Sequence, residues 1–315
     1  MSPTEKTGSK TRRYALASLV SLGFLSLMGS AADARPATYA SPQEAVDALV
    51  ASVKSGNPRD IVTVLGHEGR KLASSGDEVA DAAARKRFVA AYDEAHELRE
   101  APGGGPYTLY LGKDDYPFPI PIAQSAGKWW FDTAAGADEI LARRIGENEL
   151  SAIEVMHAYV DAQREYAEAD RDGKGVQYAR RLLSSDGKMD GLYWPTEEGE
   201  PESPLGPLVA DARAEGYSAR KDRPAPYHGY VFHVLTAQGK DASGGAQNYL
   251  VGGRMIGGFA LAAIPAVYGA SGIMTFIVNQ DGVVYQRDLG PDTARIAGRM
   301  QTFDPQAPWQ RVDRD

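Results

Sequence analysis

The sequence predicts an α+β protein, and three observations carry that prediction. Helical periodicity fills residues 41–98, strand-like residues and turns take over at 107–134, and a second helix-then-strands succession runs from 138 to 286. Helices grouped ahead of strands argue for antiparallel sheets, because a parallel sheet would need the two types to alternate. The first helix is signalled by "SPQEAVDALVASVKSG", where Ser41 stands as N-cap, Pro42 at the first helical position and Glu44 three residues on. Ala45, Leu49 and Val53 then share one face. "PRDIVTVLG" and "ADAAARKRFVAAYDEAHEL" add two further helices, the second presenting Phe88, Ala91, Tyr92 and Ala95 on one side.

"YTLYLGKDDYPFPIPIAQSAGKWWFDTA" breaks that period. It reads as strands joined by hairpins at Gly112–Asp115 and Ser125–Gly127, with Asp114 and Asp115 in a turn and prolines that shield an edge strand from further pairing. A long amphipathic helix follows over 138–170, with Ile145, Ile153, Met156, Tyr159, Val160 and Tyr166 in one stripe. Gly146 is expected to weaken it and to mark a boundary, so that one domain covers 38–140 and another 141–315. Beyond a Pro- and Glu-rich loop, residues 227–286 are β-rich, and Asp281-Gly282 between two such runs is a hairpin signal.

Residues 1–34 form the three-part pattern of a cleaved signal peptide: Lys6, Lys10, Arg12 and Arg13, then an apolar run from Tyr14 to Met28, then Ala32-Asp33-Ala34. Cleavage near Ala34 sends the protein to the periplasm or the exterior. No stop-transfer cluster follows, so no retained anchor is expected, and the paired arginines leave the twin-arginine and general export routes both open. The chain has no cysteine, so its stability outside the cytoplasm rests on packing. The formal charge of −8 becomes −10 once the four Lys/Arg and two Asp/Glu of residues 1–34 are gone. An acidic surface excludes nucleic acid and anionic lipid as the main partners.

Helices leading into a strand meander that closes on "KWWFDT" resemble the cone-shaped nuclear-transport-factor-2-like domains, over roughly residues 41–137. Over nearly the whole mature chain, "WWFDTAAGADEILARRIGENELSAIE", "DGLYWPTEEGEPESPLGPLVADA", "PYHGYVFHVLTAQG" and "GGRMIGGFALAAIPAVYGASGIMTFIVNQDGVVYQRDLG" resemble a bacterial exported family, domain of unknown function 2950. That likeness implies kinship and no chemistry. From "AQREYAEADRDGKG" to "YGASGIMTFIVNQDGVVYQ" the second half is also similar to the heads of type IV pilins and pseudopilins, in which a long helix lies on an antiparallel sheet.

Candidate sites are few. His228 and His233 stand among aromatic residues, but five residues apart on one strand they face opposite sides and share no metal. "DRDGKG", with Asp170 and Asp172, lacks the position-twelve carboxylate of a calcium loop and reads as a helix-ending turn. "GGRMIGG" has the wrong spacing for a dinucleotide loop. In the cone-like half an apolar pocket lined by Tyr92 and Trp130 is the expected ligand site, with Asp132, His96 and Tyr92 as the weak catalytic candidates. No cofactor or metal is expected. Tyr193, Trp194, Tyr227 and Tyr230 are expected contact anchors. The leading expectation is non-catalytic binding of a small apolar ligand or a cell-envelope partner, with an acid–base enzyme or an accessory of a secretion or pilus-like apparatus as alternatives. The oligomeric state stays open.

Overall fold

The first helix starts as its sequence dictates. Ser41 Oγ accepts the Glu44 amide at 3.1 Å and Glu44 reaches back to the Ala40 amide at 3.0 Å, a capping box that opens α1 (Pro42–Ser55). The computed structural model describes residues 35–171, 173–218 and 225–313, so the expected signal peptide at 1–34 and Asp172 lie outside the described residues. All of the described residues belong to one compact unit.

After α1 come α2 (Pro58–Leu65), a 3-10 turn at His67–Gly69, α3 (Arg70–Ala73) and α4 (Glu78–Glu94). These helices cover an antiparallel sheet of β1 (His96–Glu100), β2 (Tyr107–Leu111), β3 (Tyr116–Pro117), β4 (Ile122–Ser125) and β5 (Lys128–Phe131). Both expected hairpins form. Asp115 (φ 52°) closes the β2–β3 turn, and Ala126 and Gly127 (φ 50° and 74°) make the tight β4–β5 turn. One expectation fails: the helix stops at Glu94, and His96 begins a strand instead. Ala95 is already extended (φ −162°), and His96–Glu100 finds a full ladder of partners in Tyr107–Leu111. That pairing satisfies five successive residues, which a frayed helix end could not.

α5 (Thr133–Tyr166) then runs unbroken for 34 residues, straight through Gly146. Its first turn approaches the first sheet closely. A Cβ on Gly136 would stand 2.1 Å from the Pro119 carbonyl oxygen, so only glycine fits there. Its later turns bury Ala152, Met156, Tyr159, Val160 and Tyr166 against the second sheet. After α5 the chain loops to α6 (Gly206–Ala214), a helix hidden in the Pro- and Glu-rich stretch that reads as loop. β6 (Tyr230–Leu235), β7 (Ala237–Gln238), β8 (Gln247–Asn248), β9 (Leu250–Val251), β10 (Arg254–Met255), β11 (Ala260–Pro265), β12 (Met274–Asn279) and β13 (Tyr285–Asp288) follow, then α7 (Thr293–Ala297), β14 (Thr302–Phe303) and β15 (Gln310–Arg311).

The main second sheet is antiparallel in the order β15-β13-β12-β11-β6. β11, with helical and loop cover on both faces, is buried at every position, which suits its run Ala-Leu-Ala-Ala-Ile-Pro. "GGRMIGG" supplies the turn and the second strand of the β9–β10 hairpin, with Gly252 and Gly253 at φ 58° and 80°. The expected hairpin at Asp281-Gly282 joins β12 to β13. The architecture is therefore α+β, with two hydrophobic cores: Leu49, Leu109, Ile120, Ile122 and Phe131 lead the first, and Met156, Tyr159, Tyr230, Phe259 and Phe276 the second. Among the described residues no helix is long and apolar enough to cross a membrane.

Candidate functional site

A groove of about 1050 Å³ lies between α6 and β6. Leu205, Leu208 and Val209 form one wall, Phe232 and Val234 the other, and Val155 and Tyr159 of α5 contribute to the lining. Gly76–Val79, from the turn that opens α4, border it as well, so both halves of the chain build it. Arg180, Arg181 and Arg213 bring positive charge, and Asp77, Glu78 and Asp186 negative. A mostly apolar trough with a few charged groups is the usual make-up of a ligand site.

Asp77 anchors the border. It is the N-cap of α4: its Oδ1 accepts the amides of Val79 and Ala80, both at 3.1 Å, while Oδ2 accepts the Tyr217 hydroxyl at 3.0 Å and the Gly229 amide at 2.9 Å. With four donors and only 2% exposure it is a fully engaged carboxylate. Tyr217 Oη in turn accepts the His228 amide at 3.3 Å. His228 sits in the two-residue turn between Tyr227 and Tyr230, whose backbones exchange hydrogen bonds in both directions. Its φ of 47° is left-handed, a conformation that costs a non-glycine residue about 1 kcal/mol or more. Gly229 completes the turn at φ 73°, where a Cβ would meet Asn148 Nδ2 at 2.4 Å. The His228 ring is held by Glu215 at 2.7 Å and lies against Tyr217 and Tyr227.

Chemically this cluster is a clamp. Burial and the nearby Asp77 push the Tyr217 hydroxyl well above its ordinary range, and burial with Glu215 pushes Tyr227 up to about 12. Both phenols stay protonated at neutral pH, and the carboxylates beside them already hold donors. Hydrogen-bond positions here are used for shape.

The residues singled out from the sequence fall elsewhere. Tyr92 and His96 do meet, as stacked rings 3.8 Å apart with His96 Nδ1 2.9 Å from the Tyr92 carbonyl oxygen, but His96 is exposed. On β5, alternation puts Trp129 and Phe131 toward the first core and Trp130 on the opposite face. Asp132 occupies the N-cap position of α5 without capping it through its side chain. The first half does contain a cavity, of about 150 Å³ beside Leu49, Phe88 and Arg144, and none of Tyr92, His96, Trp130 and Asp132 lines it. Tyr92 and His96 stay together, but the four do not line one pocket: Trp130 faces away from the first core by the alternation along β5, and Asp132 sits at the start of α5. His228 and His233 have separate partners, Glu215 and Gln301. Of the expected aromatic anchors, Trp194 and Tyr230 are core residues, Tyr193 lies under Arg213, and Tyr227 lines the groove. Among the described residues no group of three or more His, Asp or Glu could hold a metal ion. Asp170 accepts the Lys174 amide in the turn after α5.

Asp77 and Tyr217 escape sequence reasoning for different reasons. "GDEVADAAAR" does carry an N-cap signature at Asp77, readable as a helix start although silent about its second role. Tyr217 follows α6 in "AEGYS" with no periodicity to mark it.

The chain belongs to the family described as Protein of unknown function (DUF2950), whose model matches residues 36–312, from the lead into α1 to the end of β15. Neither the curated proteins nor the solved structures contain a match to it.

Proposed function

We propose that this chain is an exported, non-catalytic binding protein that holds an apolar ligand, or an apolar segment of a cell-envelope partner, in the groove between α6 and β6. The observation that carries the proposal is the groove itself: about 1050 Å³ of mostly apolar concavity whose bordering acid, Asp77, is saturated with donors and whose phenols are held protonated. A site poised for proton transfer keeps an acid or base near the working pH, and this one ties such groups into a scaffold. The pattern of residues 1–34 supports export. We read the first half as the cone-like type, helices over a meander, and the second as the pilin-head type, a long helix on an antiparallel sheet; the groove lies where the two adjoin.

An anilinonaphthalene dye, which fluoresces in apolar sites, tests the location. The native chain enhances its fluorescence, and Val209→Arg, which places a charge on the α6 wall, abolishes the enhancement with an unchanged melting temperature. Full enhancement in that variant would remove the groove as the binding site.

A further inference from the structure

β6 is the last strand of its sheet, and among the described residues one of its two edges is open. In an antiparallel pair, alternate residues direct their amide and carbonyl toward the partner strand and the others direct theirs away. Tyr230 is of the second kind: its N–H and C=O face away from β11 and are taken by Tyr227. Pro265, opposite Tyr230, has no amide to offer and fits that pairing. Thr236 also faces outward, its N–H on the Gln301 carbonyl and its C=O on the Tyr249 amide. Between these two closed ends stand Phe232 and Val234, whose outward N–H and C=O have no backbone partner among the described residues. Phe232, His233 and Val234 line the groove. The groove thus contains a stretch of unpaired strand, with donors and acceptors at the two-residue spacing of an extended chain.

Charged groups stand at both ends of the groove. At its Tyr230 end stand Asp77, which binds Gly229, and Glu215, which binds His228. At the Leu235 end, Ala260 lies opposite Leu235 and accepts the Tyr159 hydroxyl, and Gln163, one helical turn on, holds both backbone groups of Ala179 at 2.8 Å. Arg180 and Arg181 follow there with Asp186: Arg181 pairs with Asp190, whereas Arg180 donates to the Gly253 carbonyl at 3.0 Å and has no carboxylate partner among the described residues.

We propose that the occupant of the groove is an extended segment of another polypeptide, added to the free edge of β6 as a sixth strand, with a carboxylate of that segment set over the Val234 end against Arg180. This deepens the binding reading above and rests on it. Strand addition uses the main chain for affinity and alternate side chains for selection. Here the main-chain partners are Phe232 and Val234, the apolar walls receive the inward side chains, and the arginine corner matches an acidic side chain or a terminal carboxyl group.

The test begins with short random peptides with free carboxyl termini, selected on the full chain. Resynthesised binders carrying N-methyl groups on one alternate set of residues lose binding, and the same peptides methylated on the other set keep it, because only every second amide faces β6. Val234→Pro deletes one outward N–H without cutting a β6–β11 bond, and weakens binding about three- to tenfold, the loss of a single hydrogen bond. Arg180→Gln weakens the unmodified peptides by a similar factor. Amidating the terminus and changing acidic side chains to their amides show which carboxylate Arg180 meets, by which change removes that difference. If Val234→Pro fails to fold, the two methylated series on the unaltered chain decide. Equal effects of the two series overturn the proposal, as does failure to enrich any peptide while the dye still binds the groove. Loss of both dye and peptide binding instead overturns the reading on which it rests.

Discussion

Asp77 is the residue on which the groove border turns. Changing it to alanine removes a helix N-cap, worth about 1 kcal/mol, and leaves the buried Gly229 amide without its acceptor, worth about 2 kcal/mol more. Asp77→Ala is therefore expected to lower unfolding stability by about 3 kcal/mol in urea titrations. Tyr217→Phe deletes one donor to the same carboxylate and the long hydrogen bond from the His228 amide, and is expected to cost about 1–2 kcal/mol. If the two variants fell equally, Asp77 would not be the clip between α4 and the β6 turn. Legibility at this scale is uneven, for a physical reason. Caps are local, so Ser41 and its capping box can be read from four residues. The contacts from Asp77 to Tyr217 and Gly229 span 140 and 152 residues, and no short pattern encodes them. His228 shows the converse: "PYHGY" draws the eye, yet its left-handed backbone and its bond to Glu215 are set by a turn that begins one residue before it.

Elements are more legible than residues wherever their periodicity outlasts their flanks. α1, α5, the β4–β5 hairpin and the buried strands β11 and β12 all follow from spacing and turn chemistry. The failures are at places where pairing across the sheet decides. His96–Glu100 carries the composition of a helix end, and only Tyr107–Leu111 makes it a strand. α6 is short and follows a proline-rich loop, so its two and a half turns leave little period to detect. Gly146 illustrates a propensity argument that packing overrides, since α5 continues through it with both flanks docked. Two glycines of that helix now make opposite predictions. A Cβ at Gly146 meets nothing within 4 Å, so Gly146→Ala is expected to raise stability by about 0.5–1 kcal/mol through helix propensity. A Cβ at Gly136 collides with the Pro119–Ile120 backbone, so Gly136→Ala is expected to cost about 3 kcal/mol. Melting both variants beside the native chain checks the pair, and a stabilising Gly136→Ala would contradict the close approach of α5 to the first sheet.

At the scale of the whole molecule, the two cores are tied by more than a shared helix. Arg144 donates to the Lys71 and Leu72 carbonyls at 2.7 and 2.9 Å, fixing α5 to the first half. One turn later Asn148 donates to the Ser271 carbonyl at 2.8 Å, and Glu149 accepts the Ile273 and Met274 amides, fixing the same helix to the start of β12. Asp77 makes a further link to Gly229 that bypasses the helix altogether. Separating the halves would break the hydrogen bonds of a half-buried guanidinium, a buried carboxylate and several backbone groups in one step, each worth about 0.5–1.5 kcal/mol, a sum that is large against the usual stability of a domain. Coupling of that size makes the cores unfold together. The four tryptophans report on it naturally, because Trp129 and Trp130 lie on the first sheet while Trp194 and Trp309 pack with the second core. Two variants, one keeping only Trp129 and Trp130 and the other only Trp194 and Trp309, are expected to give coincident urea midpoints within the shift caused by the replacements themselves. Opening α5 at Arg144 with Arg144→Ala is then expected to separate the curves or to lower both together. A first-half midpoint well below that of the second in the unopened chain would mean that the clamp around Asp77 and Arg144 does not transmit stability, and that the Gly76–Val79 border of the groove is lost before its two walls.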